Sequence, residues 1–338
     1  MKYALLASVA VVALSAGSAV AQSRDTIQIA GSSTVLPFAS IVAEEFNSAF
    51  PDFKTPVVGS GGTGGGFSQF CQGVGENTID IANASRPMRD SEREACTTAG
   101  VTDIREVQFG FDGIVFASAA SGPDFALTPV QVYKAIAAQV AVDGKLVDNP
   151  YTNWSEVDSS LPDQPIALAV PASNHGTREV FQERVVAAGC EEGGLPEGLS
   201  KEETTAACST YRQDVVTEIS GDYTETLARL NSDKNTVGVF GLSFYEQNTD
   251  TLKVATVNGV TPSKETVAAG EYPVSRPLFF YVKGQHIGTI PGMEEYVQFF
   301  LSDAISGEGG TLEAAGLIPQ PADKTAEVVA AFEAGPTK

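Results

Sequence analysis

The chain has 338 residues and a formal net charge of -21, with 42 acidic against 21 basic side chains. That balance excludes nucleic acid and acidic membrane surfaces as partners, because both repel a polyanion. With 43% hydrophobic residues the chain can fill two cores, and its length predicts two domains behind an N-terminal leader.

Met1-Lys2-Tyr3 leads into an apolar run from Ala4 to Leu14, and Ala19-Val20-Ala21 makes an A-x-A cleavage site before Gln22. Residues 1–21 therefore read as a secretory signal. The run is short for a membrane span. No cysteine stands near the cleavage point to carry a lipid. The expected product is a soluble, exported chain. Its cysteines are Cys71, Cys96, Cys190 and Cys208. An even number in an exported chain predicts two disulfides. Of the three connectivities the sequence-local one is favoured, Cys71–Cys96 with Cys190–Cys208. There is no C-x-x-C, and the histidines are only His175 and His286. Neither a metal nor a cofactor is expected.

Thr26 to Ala30 alternates and is β-branched, which predicts a strand. Gly31-Ser32-Ser33-Thr34 follows, and then apolar positions recur at helical spacing from Leu36 to Phe50, with Pro37 in the first turn. Thr55 to Val58 predicts the next strand. It runs into Gly59 to Phe67, where six of nine residues are glycine, and a helix is expected from Phe67. A glycine-rich turn from strand to helix exposes backbone N–H groups that have no intrahelical partner, and the helix dipole adds to their attraction for an anion. Ser60 and Thr63 add hydroxyl donors. The stretch also fits G-x-G-x-x-G through Gly59, Gly61 and Gly64. That is a weak dinucleotide signal, and Asp80 only roughly meets its acidic position. No G-x-x-x-x-G-K-[ST] occurs.

Ile79 to Ala82 predicts a third strand running into Ser85 and Arg86, before a charged helix from Asp90 to Ala95. Arg86 there offers a bidentate fork to an oxyanion. Arg105 to Phe111 leads through Asp112 into an apolar strand that ends at Ala117 and carries the chain into a second domain. A helix is expected from Leu127, and Trp154 is expected in a core. Pro165 to Pro171 predicts a buried strand, Ala172 to Arg178 a polar turn, and Glu179 to Val186 a helix. Gly176, Thr177 and Arg178 at that helix start suit an oxyanion. His175 has no defensible nucleophile and carboxylate beside it in sequence. Cys190 to Cys208 reads as a polar excursion. Thr224 to Leu230 reads as helix, and Thr236 to Gly241 and Val254 to Val257 as strands. Ser275 to Val282 is a strand that returns the chain to the first domain. Helices from Met293 to Leu301 and Thr325 to Phe332 close it.

Four strand–polar turn–helix units, two crossover strands and an export signal fit a two-lobed α/β binding protein with its ligand between the lobes. The motifs AGSSTVLPF (Ala30 to Phe38), GSGGTGGGF (Gly59 to Phe67), DIANASRPM (Asp80 to Met88), HGTREVF (His175 to Phe181), VGVFG (Val237 to Gly241) and YPVSRPLFFYV (Tyr272 to Val282) carry a closer resemblance. With them the chain resembles the periplasmic phosphate-binding proteins of high-affinity ABC phosphate importers over nearly all its mature length. The resemblance implies lobe I at 22–112 and 277–338, lobe II at 113–276, and two hinge strands. It implies a non-enzymatic monomer that holds phosphate by hydrogen bonds and delivers it to a membrane permease. Ser33 would donate its hydroxyl and Thr34 its N–H. Ser60, Thr63, Ser85, Arg86, His175, Gly176 and Thr177 would complete the shell. Many members have Asp at the position of Arg86, where it accepts the proton of monohydrogen phosphate; here that role falls to Asp112. Members often have Ser at the position of His175 and Arg four residues earlier, where this chain has Pro171; Arg178 would supply the guanidinium. The alternatives are an exported phosphate-ester hydrolase, or the same fold taking another oxyanion.

Overall fold

The computed structural model describes residues 24–172, 176–220 and 222–336, so the expected signal at 1–21 lies outside the described residues. Three short strands, β1 (Gln28–Gly31), β2 (Val57–Ser60) and β3 (Ile81–Ala84), pair in parallel in the order β2-β1-β3. The helices that follow them are α1 (Leu36–Ala49), α2 (Gly62–Phe70) and α3 (Asp90–Thr98). In α1 the buried residues are Phe38, Ala39, Val42, Ala43 and Phe46, a single apolar stripe at helical spacing.

The expected strand through Asp112 is one 16-residue element, β4 (Ile104–Ala119). Its first part pairs antiparallel with Ser275–Lys283, which also pairs with β3. Its last part pairs antiparallel with Val237–Gly241, and Leu168–Pro171 and Val216–Ile219 continue that half in parallel. The two expected crossover strands are thus neighbours in one sheet, and Arg276 lies opposite Asp112 in their register.

Burial follows the same division, as expected for two α/β lobes. One core joins Phe116, Phe181, Val239 and Phe240 with Trp154, which is wholly buried and edge-on to Phe125. On the other side, one cluster gathers Ile29, Phe46, Phe280 and Phe300, and another gathers Phe67, Phe70 and Tyr281.

The helix expected from Phe67 begins five residues earlier, at Gly62, so the glycine tract is itself helical. Glycine has poor helix propensity, and tertiary packing supplies the reason here. A Cβ on Gly66 would lie 2.6 Å from the Cα of Gly31, and a Cβ on Gly31 would lie 2.1 Å from the carbonyl oxygen of Asn83. Backbone meets backbone at this contact, and it seats α2 on the turn after β1. The helix expected from Glu179 likewise begins early, at Gly176, and passes through a π-helical stretch, Phe181–Ala187. The excursion between Cys190 and Cys208 contains a helix, Lys201–Ala207, capped by Ser200.

Cys71 pairs with Cys96, and Cys190 pairs with Cys208, with Cα separations of 4.1 and 5.4 Å. The local connectivity holds. Loops of this length stabilise by roughly 3 kcal/mol each. Among the described residues no helix is long and apolar enough to cross a membrane.

Candidate functional site

Asp112 lines a cavity between the two halves of the molecule, and Arg276 lies opposite it on the paired strand. Arg276 is 1% exposed and Asp112 3% exposed. Their charged groups are 3.8 Å apart, from Nε to Oδ2, beyond hydrogen-bond range. Among the described residues neither buried atom has a hydrogen-bond partner. A buried polar atom left unpaired costs on the order of 1–3 kcal/mol, so this pair is poised for a third group that both accepts and donates. Burial pushes the Asp112 carboxyl up to about 6, against the pull of Arg276 and with the help of Glu179.

The rest of the Arg276 fork is occupied. Nη2 donates to the Thr34 hydroxyl at 2.5 Å and lies 3.3 Å from Glu179 Oε2, and Nη1 donates to Glu183 at 2.8 Å. Glu179 Oε2 also accepts from the hydroxyls of Thr34 and, at 3.4 Å, Ser33. These contacts draw together the turn after β1, the hinge and the helix Gly176–Val180.

A cavity of about 340 Å³ opens beside them, lined by Thr34, Phe38, Asp112, Thr177, Tyr223 and Ser243 among others. Tyr223 donates to the Thr177 hydroxyl at 2.8 Å. The Thr177 oxygen is thereby used as an acceptor, which leaves its own hydrogen for another acceptor. Burial pushes the Tyr223 phenol up, so it stays a donor across the physiological range. In the first lobe, Thr63 accepts from the Ser85 amide at 3.1 Å, and the two hydroxyls are 3.1 Å apart. One donates to the other, and one hydroxyl hydrogen is left over.

Several expected residues are placed differently. Ser60 is exposed at the end of β2. The Thr34 amide donates to Ser32 Oγ at 3.2 Å rather than standing open. Arg86 forks onto Glu92 at 2.8 and 2.7 Å and lies over the Phe67 ring. Arg178 donates to the Pro171 carbonyl at 2.9 Å and to Glu218 at 2.8 Å, and its guanidinium lies over the Tyr211 ring. Gly176 opens its helix, and His175 lies outside the described residues. The residues that sequence reasoning missed are Arg276, Glu179 and Tyr223. For Arg276 a signal existed: it is the one charge in Ser275-Arg276-Pro277-Leu278-Phe279-Phe280-Tyr281-Val282.

Residues 16–304 match a family model described as a PBP superfamily domain. Protein SphX of Synechococcus elongatus is 32% identical over 305 residues, spanning 88% of this chain and 79% of that protein. The phosphate-binding protein PstS of Staphylococcus epidermidis is 30% identical over 298 residues, spanning 86% of this chain and 78% of that protein. A crystal structure of a possible phosphate binding protein from Planctomyces limnophilus superposes with a TM-score of 0.69 at 28% identity, covering 91% of this chain and 98% of that one.

Proposed function

The chain belongs to the PBP superfamily, and we propose that it captures inorganic phosphate in the periplasm and delivers it to an ABC permease in the inner membrane. It works as a monomer and breaks no bond. Lobe I is 22–112 with 277–338, and lobe II is 113–276. They close about β4 and Ser275–Lys283, and bound ligand favours the closed state.

The observation that carries this reading is the buried couple Arg276 Nε and Asp112 Oδ2, which have no hydrogen-bond partner among the described residues. Monohydrogen phosphate satisfies both atoms at once. One of its oxygens accepts from Arg276, and its P–O–H donates to the Asp112 carboxylate. Thr34, Thr63, Ser85 and Thr177 supply neutral hydroxyls to the remaining oxygens, with Ser33 at the mouth. Fully ionised sulfate has no proton to offer, so it would set a bare oxyanion against a buried carboxylate. In a chain of net charge -21 the attraction must be local, through such donors rather than the global field.

The test is calorimetric titration of the mature chain, unfolded and refolded to strip ligand, with phosphate and then sulfate. One-to-one phosphate binding with sulfate silent is the expected result. Phosphate failing to bind refutes the proposal. Turnover of a chromogenic phosphate ester would replace it with a hydrolase.

A further inference from the structure

We infer that Glu179 is an internal stand-in for the ligand: its carboxylate holds the donors that an incoming oxyanion needs, and it must swing out before phosphate can enter. The inference rests on the phosphate reading above and deepens it by naming the residue that sets the affinity.

Glu179 Oε2 gathers three donors: the Ser33 hydroxyl, the Thr34 hydroxyl and Arg276 Nη2. Ser33 and Thr34 come from the turn after β1, Arg276 from the hinge strand, and Glu179 from the helix that Gly176 and Thr177 open in the other half of the molecule. A carboxylate oxygen and a phosphate oxygen ask the same of these donors, and the two cannot use them together. Charge makes the same demand. Arg276 already faces three carboxylates, Asp112, Glu179 and Glu183. A dianion added to that set would stand against like charges at contact distance. Exchanging the Glu179 carboxylate for the dianion keeps the donors satisfied before and after. The exchange is open to Glu179 in a way that it is not to Asp112. The Glu179 side chain is 29% exposed, against 5% for Asp112, so Glu179 can rotate into water without stranding a buried charge. Because its partners lie across the cleft, the same contact ties the two lobes when no anion does.

The experiment uses the full mature chain with Glu179→Gln and Glu179→Ala. Phosphate is titrated calorimetrically, and small-angle scattering is recorded without phosphate. The Gln variant keeps an acceptor of the same shape and guards against a loss of folding, which thermal melting would reveal in the Ala variant. The expected result is phosphate affinity higher by about tenfold or more in both variants, the loss of one competing charge-assisted bond, and a larger radius of gyration for Glu179→Ala. Weaker binding in both would make Glu179 a ligand group that reads the phosphate proton, and would overturn the inference. Unchanged affinity would make it a bystander and would overturn it as well. If the parent chain binds no phosphate, the proposed function fails, and the scattering alone decides on Glu179: an unchanged radius then rejects the lobe tie and the inference with it.

Discussion

Replacing Asp112 by Asn separates what the carboxylate costs the fold from what it gives the ligand. Burial lifts this carboxyl from an ordinary 3.8 to about 6, although Arg276 is near. A folded-state value above the unfolded one means that the native chain holds the extra proton between those two values. Stability therefore falls as pH rises through that window, and the deficit is complete above about pH 6. At 1.36 kcal/mol per pH unit the deficit is about 3 kcal/mol. Asn has the same shape and no charge, so Asp112→Asn is expected to exceed the parent by about 2–3 kcal/mol at neutral pH, and to match it near pH 4. Urea unfolding of both chains without phosphate, at the two pH values, measures the difference. In the same variant, phosphate binding should weaken by about 1.5–3 kcal/mol, the value of a hydrogen bond to a charged group, while sulfate binding appears. A stability gain equal at both pH values would refute the burial account. Phosphate binding as tight as the parent's would refute the role of Asp112 as the proton acceptor.

Four further outcomes are expected. Arg276→Lys keeps the charge but loses the planar fork, and should weaken phosphate binding by about 2 kcal/mol or more in calorimetry. Arg86→Ala should change it by less than about 0.5 kcal/mol, because that fork is spent on Glu92, with both groups only partly buried; equal losses in the two variants would refute the ranking. Gly66→Ala puts a Cβ 2.6 Å from the Gly31 Cα and should destabilise by about 1–3 kcal/mol, read as a lower melting temperature. Replacing Cys71 and Cys96 together by Ser should remove roughly 3 kcal/mol of stability in urea, and an unchanged midpoint would contradict the bridge.

The legible and the illegible parts of the site differ in one physical respect. The turns bearing Ser33, Thr63, Ser85 and Thr177 are local devices, a strand, a few small polar residues and a helix start, and such devices are written contiguously. The glycine tract was legible as a strand-to-helix turn but not as helix itself, because the close packing contact it makes is with Gly31, a separate segment. Arg86 shows the opposite error. It has the right residue type beside the right strand, yet its fork is taken by Glu92 six residues on, at the third position of α3, where Glu92 also accepts from the Arg89 amide. That partner was within sight in the sequence. Arg276 stood out as the one charge in its strand, but its role was not legible because its partners, Glu183, Glu179 and Thr34, stand 93, 97 and 242 residues away. What placed it is strand register. Ser275–Lys283 runs antiparallel to β4 so that Arg276 falls opposite Asp112. Facing residues of an antiparallel pair share a side of the sheet. The donor and acceptor proposed to meet the ligand are therefore carried by two paired strands, β4 and Ser275–Lys283. A one-residue slip between those strands would turn either side chain to the other face and abolish the site without altering a single residue of it. The proposed site is thus a property of this strand pairing as much as of any motif, which is why replacing Asp112 should change stability and affinity at once, and in opposite directions.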